Sequence, residues 1–109
     1  MAQETKFRVV LVTCATLEEA RKIARTVVEK HLAACVNVVA APVESFYTWE
    51  GKSENTSEYL LVIKTSEERL AELQKEVLRL HSYDTPEFIA LAIVAGSEKY
   101  LAWLANSIT

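Results

Sequence analysis

Apolar positions change period several times along the chain, and each change marks an element. Phe7 to Cys14 (FRVVLVTC) is apolar and β-branched on both alternating faces, which predicts a buried strand. Thr16 and Glu19 have capping-box spacing and open a helix. Its Leu17, Ala20, Ile23, Ala24, Val27 and Val28 fall on one stripe. The pattern runs out near His31 and Leu32, with Arg25 and Lys30 towards the end, where cations suit the helix dipole. Ala34 to Val39 and Glu44 to Trp49 read as strands, and Pro42 between them marks a bulge, bend or edge. Glu50-Gly51-Lys52 reads as a hairpin turn, and Glu58 to Thr65 returns as the next strand.

Thr65 and Glu68 repeat the capping-box spacing before a second helix, with Leu70, Leu73, Val77 and Leu80 inward and Glu67, Glu68, Glu72, Lys75 and Arg79 mostly outward. It ends near His81. Ser82 to Pro86 is turn chemistry, with Thr85 held extended by the following proline. Glu87 to Ala95 reads as a last buried strand, and Glu98 to Ser107 as a short helix after the Gly96-Ser97 break. No linker or repeat interrupts this order, so residues 1–109 read as one domain. Strand, helix, long hairpin, helix, strand, helix gives an α+β class: a ferredoxin-like α/β sandwich (βαββαβ) with an antiparallel sheet and an extra C-terminal helix. The last strand is apolar on both faces: Phe88, Ala90, Ala92 and Val94 on one, Ile89, Leu91 and Ile93 on the other. Two helices cover only one face of such a sheet, so sheet-to-sheet packing in a homo-oligomer is expected to cover the other.

Composition narrows the function. A net charge of −3 argues against a nucleic-acid binder or a polybasic membrane-surface protein. No apolar run is long enough to span a bilayer. Cys14 and Cys35 form neither a disulfide framework nor a C-x-x-C pair and suit a reducing compartment. Residues 1–6 are polar and carry no signal-peptide core, so the expectation is a cytoplasmic protein. No G-x-S-x-G, H-E-x-x-H or glycine-rich phosphate loop is present, which points away from an enzyme.

Several segments then bear comparison with known proteins: Leu32-Ala33-Ala34-Cys35-Val36-Asn37, Ser45-Phe46-Tyr47-Thr48-Trp49-Glu50-Gly51-Lys52, Leu61-Val62-Ile63-Lys64-Thr65, His81 to Glu87 with Ile89-Ala90-Leu91, and Tyr100-Leu101 with Trp103-Leu104. In this order they resemble the CutA family, the divalent-cation tolerance proteins, over about residues 9–106. The resemblance implies a ferredoxin-like subunit, a tight homotrimer and kinship with PII signalling proteins. It also implies association with copper and other divalent cations in bacteria and, in animals, a link to membrane anchoring of acetylcholinesterase. The chain departs from the family pattern at Ser82, at Ala40-Ala41-Pro42 and at Ala92, where prolines are usual or differently placed.

His81 is the leading metal candidate, because imidazole suits copper, zinc and nickel and the resemblance links the matching position to copper. The plainer reading is a cation at a helix C-terminus. Glu87 and Cys35 are weaker candidate ligands, Cys35 also reading as a small core hydrophobe. Cys14, beside the start of the first helix, reads as core or as a thiol with a lowered pKa. His31 reads as an exposed or capping residue. Tyr47, Trp49, Lys64, Tyr83 and Glu87 form a second constellation, either an aromatic-walled cleft for a small polar or anionic ligand or ordinary subunit packing. The leading expectation is a homotrimer binding copper or a related divalent ion. The alternative is a PII-like signalling or scaffold module binding a small molecule or protein in its intersubunit clefts.

Overall fold

The computed structural model describes residues 5–109, so the polar start at residues 1–4 lies outside the described residues. The elements are β1 (Phe7–Cys14), α1 (Leu17–Glu29), β2 (Cys35–Val38), β3 (Val43–Trp49), β4 (Lys52–Ser66), α2 (Leu70–Leu80), β5 (Ile89–Ala92) and α3 (Glu98–Ser107), with a 3-10 turn at Glu67–Arg69. The sheet runs β2-β4-β1-β5 with every neighbour antiparallel, which is the ferredoxin-like order. β4 is long enough to serve two partnerships. Its second half pairs with β1 and β2, and its first half pairs with β3 alone in a two-stranded arm.

Local chemistry explains most element ends. Thr16 Oγ1 accepts the Glu19 N–H (3.1 Å) and starts α1. The helix closes through His31, which takes a left-handed φ of 58° while Leu32 N–H donates to Val27 O. At the tip of the arm Glu50 and Gly51 both have positive φ (51° and 78°), the turn that matches strand twist. Pro42 falls in a bulge: residues 39–42 of the β2–β3 edge face only residues 59–60 of β4.

Two expectations change. Thr65 does not cap α2. It stays in β4, buried, and its hydroxyl donates to Leu32 O (2.7 Å), while Ser66 precedes the 3-10 turn without a side-chain cap. A buried hydroxyl needs a partner inside the fold, and this tertiary bond wins over the local one. The last strand is four residues, not nine, and it is an edge: Ile89 is 48% and Leu91 50% exposed.

The main core lies between the sheet and α1 and α2, from Val10, Val12, Cys14, Leu61 and Ile63 to Ile23, Val27, Leu73 and Val77. A smaller cluster of Phe7, Ala34, Leu104 and Ile108 seats α3. Strand alternation then puts Val9, Leu11, Leu60, Val62, Ile89 and Leu91 together on the opposite face of the sheet. None of these six is fully buried.

Candidate functional site

The C-terminal ends of β1 and α2 meet over the first turn of α1, and three potential donors gather there. His81 caps α2, with its side chain fully buried. Its Nδ1 accepts the Tyr83 N–H (3.1 Å), so Nε2 carries the hydrogen and donates to Thr13 O (2.7 Å). Glu19 Oε1 accepts the Ser82 N–H (3.1 Å). Glu19 Oε2 is buried with no hydrogen-bond partner and lies 3.6 Å from His81 Nδ1. Cys14 completes the trio: one donor atom each from Cys14, Glu19 and His81 lies within 4.8 Å of the others. An unpaired buried carboxylate oxygen beside a thiol and an imidazole is a costly arrangement that a cation would relieve.

The trio suits the ion it would hold. Thiolate, imidazole and carboxylate are donors that copper and zinc accept. A tetrahedral ion keeps its donors roughly 3.3–3.8 Å apart, so the set is completed by a modest closure of the side chains in which His81 Nδ1 gives up the Tyr83 N–H for the ion. Without a metal the Cys14 thiol is pushed up to about 12 by burial, and further by Glu19 and Glu58. Of the two readings of Cys14, core holds, and a lowered pKa at the start of α1 does not: desolvation and two carboxylates raise it instead.

The second constellation converges in part. Tyr47, Trp49, Tyr83 and Glu87 line one cavity of about 530 Å3 between the β3–β4 arm and the loop after α2, together with Phe46 and Glu58. Lys64 lies elsewhere. It sits on β4 opposite Val9 and Cys35, and its ammonium is hydrogen-bonded to Asn37 Oδ1. Cys35 is half-buried on β2, outside the His81 trio, and Glu87 lies with the cavity rather than with His81. His31 is exposed, as expected. A larger cavity of about 690 Å3 between the 3-10 turn and the end of α3 contains none of the predicted residues.

Glu19 and Glu58 were invisible as site residues. Glu19 carries the spacing of a cap, and only the fold turns its carboxylate towards the loop after α2. Glu58 reads as a strand-end carboxylate, yet it is buried and acts on the Tyr83 phenol. Burial first, then the neighbouring Glu58 carboxylate, raises the Tyr83 phenol well above its ordinary value. Burial, with help from Glu58, also raises the Glu87 carboxyl.

The profile of the CutA1 divalent ion tolerance protein family matches residues 8–107. The chain belongs to this CutA1 family. A divalent-cation tolerance protein CutA of Archaeoglobus fulgidus is 41% identical over 99 residues, covering 91% of this chain and 95% of that one. The chloroplastic CutA of Arabidopsis thaliana is 50% identical over 99 residues, covering 91% of this chain, which spans only about half (54%) of the plant protein's length. The solved structure of the Archaeoglobus fulgidus periplasmic CutA superposes with a TM-score of 0.91 at 40% identity, over 94% of this chain and 99% of that one.

These CutA1 relatives overturn the cytoplasmic expectation, since one is described as periplasmic and another as chloroplastic. The fold explains why the cysteines misled. Cys14 belongs to the core face of β1, whereas Cys35, opposite Lys64, points to the other face of the sheet. The two thiols cannot pair in any redox environment, so their freedom carries no information about compartment. Among the described residues no helix is long and apolar enough to cross a membrane.

Proposed function

We propose that this CutA1 protein is a homotrimer that binds copper or a related divalent ion and has no catalytic role, with Cys14, Glu19 and His81 as the metal ligands. The observation that carries the metal reading is the buried, partnerless Oε2 of Glu19 facing His81 and Cys14. Membership of a divalent ion tolerance family supports it from outside the geometry. Bound metal would supply the positive charge that this pocket of donors lacks, and Ser82 N–H would keep Glu19 oriented through its other oxygen. Cys35 and Glu87 stand outside the trio and are left out of the proposed ligand set. Trimerisation is supported by the open apolar face of Val9, Leu11, Leu60, Val62, Ile89 and Leu91, which a second subunit would remove from water.

Calorimetric titration of metal-free protein with copper tests the site. The wild type is expected to bind with micromolar or tighter affinity, and His81→Ala at least tenfold more weakly. Equal affinity in both, or no binding by the wild type, would remove His81 from the reading.

A further inference from the structure

Two of the proposed metal ligands also hold the loop after α2, and they are not equally free to do both. The loop leaves α2 through two consecutive backbone N–H groups. Ser82 N–H donates to Glu19 Oε1 (3.1 Å), and Tyr83 N–H donates to His81 Nδ1 (3.1 Å). Glu19 can serve twice, because a carboxylate has two oxygens and its Oε2 has no hydrogen-bond partner. His81 cannot. A neutral imidazole offers one lone pair, on the nitrogen without a hydrogen. Nε2 carries the hydrogen and donates to Thr13 O (2.7 Å), which leaves the lone pair on Nδ1. Nδ1 is also the nitrogen 3.6 Å from Glu19 Oε2, and so the one through which the ring reaches an ion.

The surroundings decide which partner gives way. His81 is held at both ends: its backbone N–H donates to Val77 O (3.0 Å), and Nε2 ties the ring to β1. That second bond fixes the orientation of a ligating imidazole. Tyr83 is the freer group, since residues 81–88 belong to no helix or strand. Its ring rests against His81, with centroids 4.8 Å apart, and its phenol lies beside the Glu58 carboxylate of β4. A part-buried N–H that loses its acceptor has to find another or reach water, so Tyr83 has to shift. The ion binds only the state in which Nδ1 is free, and such differential affinity is what moves an equilibrium.

We infer that a bound ion and the Tyr83 N–H compete for the single lone pair of His81, so that metal binding releases the loop after α2 at Tyr83 while Ser82 stays anchored on Glu19. The inference rests on the proposed metal site and adds a conformational consequence to it. Linkage makes the coupling reciprocal: whatever loosens the closed loop tightens metal binding. The test is amide hydrogen exchange, followed by NMR on the isotope-labelled full-length protein in its native assembly, metal-free and saturated with zinc. The ring-nitrogen resonances of His81, read on the same samples, report whether zinc sits on Nδ1. Zinc is expected to move the Nδ1 resonance, to speed exchange of the Tyr83 amide at least tenfold and to leave that of Ser82 unchanged. Zinc on Nδ1 with the Tyr83 amide still protected would overturn the latch and leave the metal reading standing. An Nδ1 resonance unmoved by zinc would overturn both. Tyr83→Phe keeps the N–H and the ring but removes the hydroxyl beside Glu58, and with it part of what holds the loop closed. It is expected to bind zinc at least threefold more tightly than wild type by calorimetry, and unchanged or weaker binding would overturn the coupling.

Discussion

Two carboxylates on neighbouring helices show how differently enclosure can treat the same group. Glu76 on α2 is largely covered but fully served: Arg79 Nε and Nη2 donate to it at 2.6 and 3.1 Å, and the Lys30 ammonium pairs with Oε2. The Arg79 bond first, then Lys30, holds its carboxyl down at about 2. Because that value lies below the unfolded-state value near 4.5, the stabilisation is whole above about pH 4.5 and is lost as pH falls towards 2. Denaturant melts of Glu76→Gln should therefore show lower stability than wild type at pH 7, with the gap closing between pH 4.5 and 2. A gap independent of pH would contradict the assignment. Glu19 on α1 has the opposite fate, with one oxygen bonded and the other buried without a partner. At this scale the sequence is a poor guide. His81 stands out by residue type, but Cys14, Glu19 and Glu58 acquire their meaning only from what folds over them. Lys64 misleads for the same reason, since alternation fixes its face but not its partner, Asn37.

Elements were more legible, and the exceptions share a cause. α1 follows directly from stripe and cap and α3 from the Gly96-Ser97 break before it, and Thr16 and Ser97 accept the backbone N–H groups of Glu19 and Tyr100. The arm's turn is legible in Glu50-Gly51, because few residue pairs accept two positive φ angles in succession. Where local pattern met a tertiary demand, it lost. Thr65 matches a cap by spacing, yet its hydroxyl is committed to Leu32 O across the sheet. β5 matches a buried strand by composition, yet β1 is its only partner in the sheet among the described residues, and its outer edge is unpaired. Apolarity reports that a residue is to be covered. It does not report whether the cover comes from its own chain.

Over the whole molecule, that distinction becomes a statement about assembly. The six apolar residues opposite the main core lie on β1, β4 and β5, a surface that a lone subunit leaves only partly covered. Sedimentation velocity should find the wild type as a trimer and Leu91→Asp, which puts a charge on the most exposed of the inner pair Leu91 and Val9, as monomer. A monomeric wild type, or an unaltered trimer in the variant, would contradict the proposed assembly. The metal centre is the central claim, and X-ray absorption at the zinc edge tests it most directly, since zinc suits the same donors without redox change. The zinc-loaded wild type should show one sulfur at about 2.3 Å beside nitrogen and oxygen at about 2.0 Å, with the sulfur lost in Cys14→Ser. A shell of nitrogen and oxygen alone in the wild type would take Cys14 out of the metal's ligands and contradict the three-residue site.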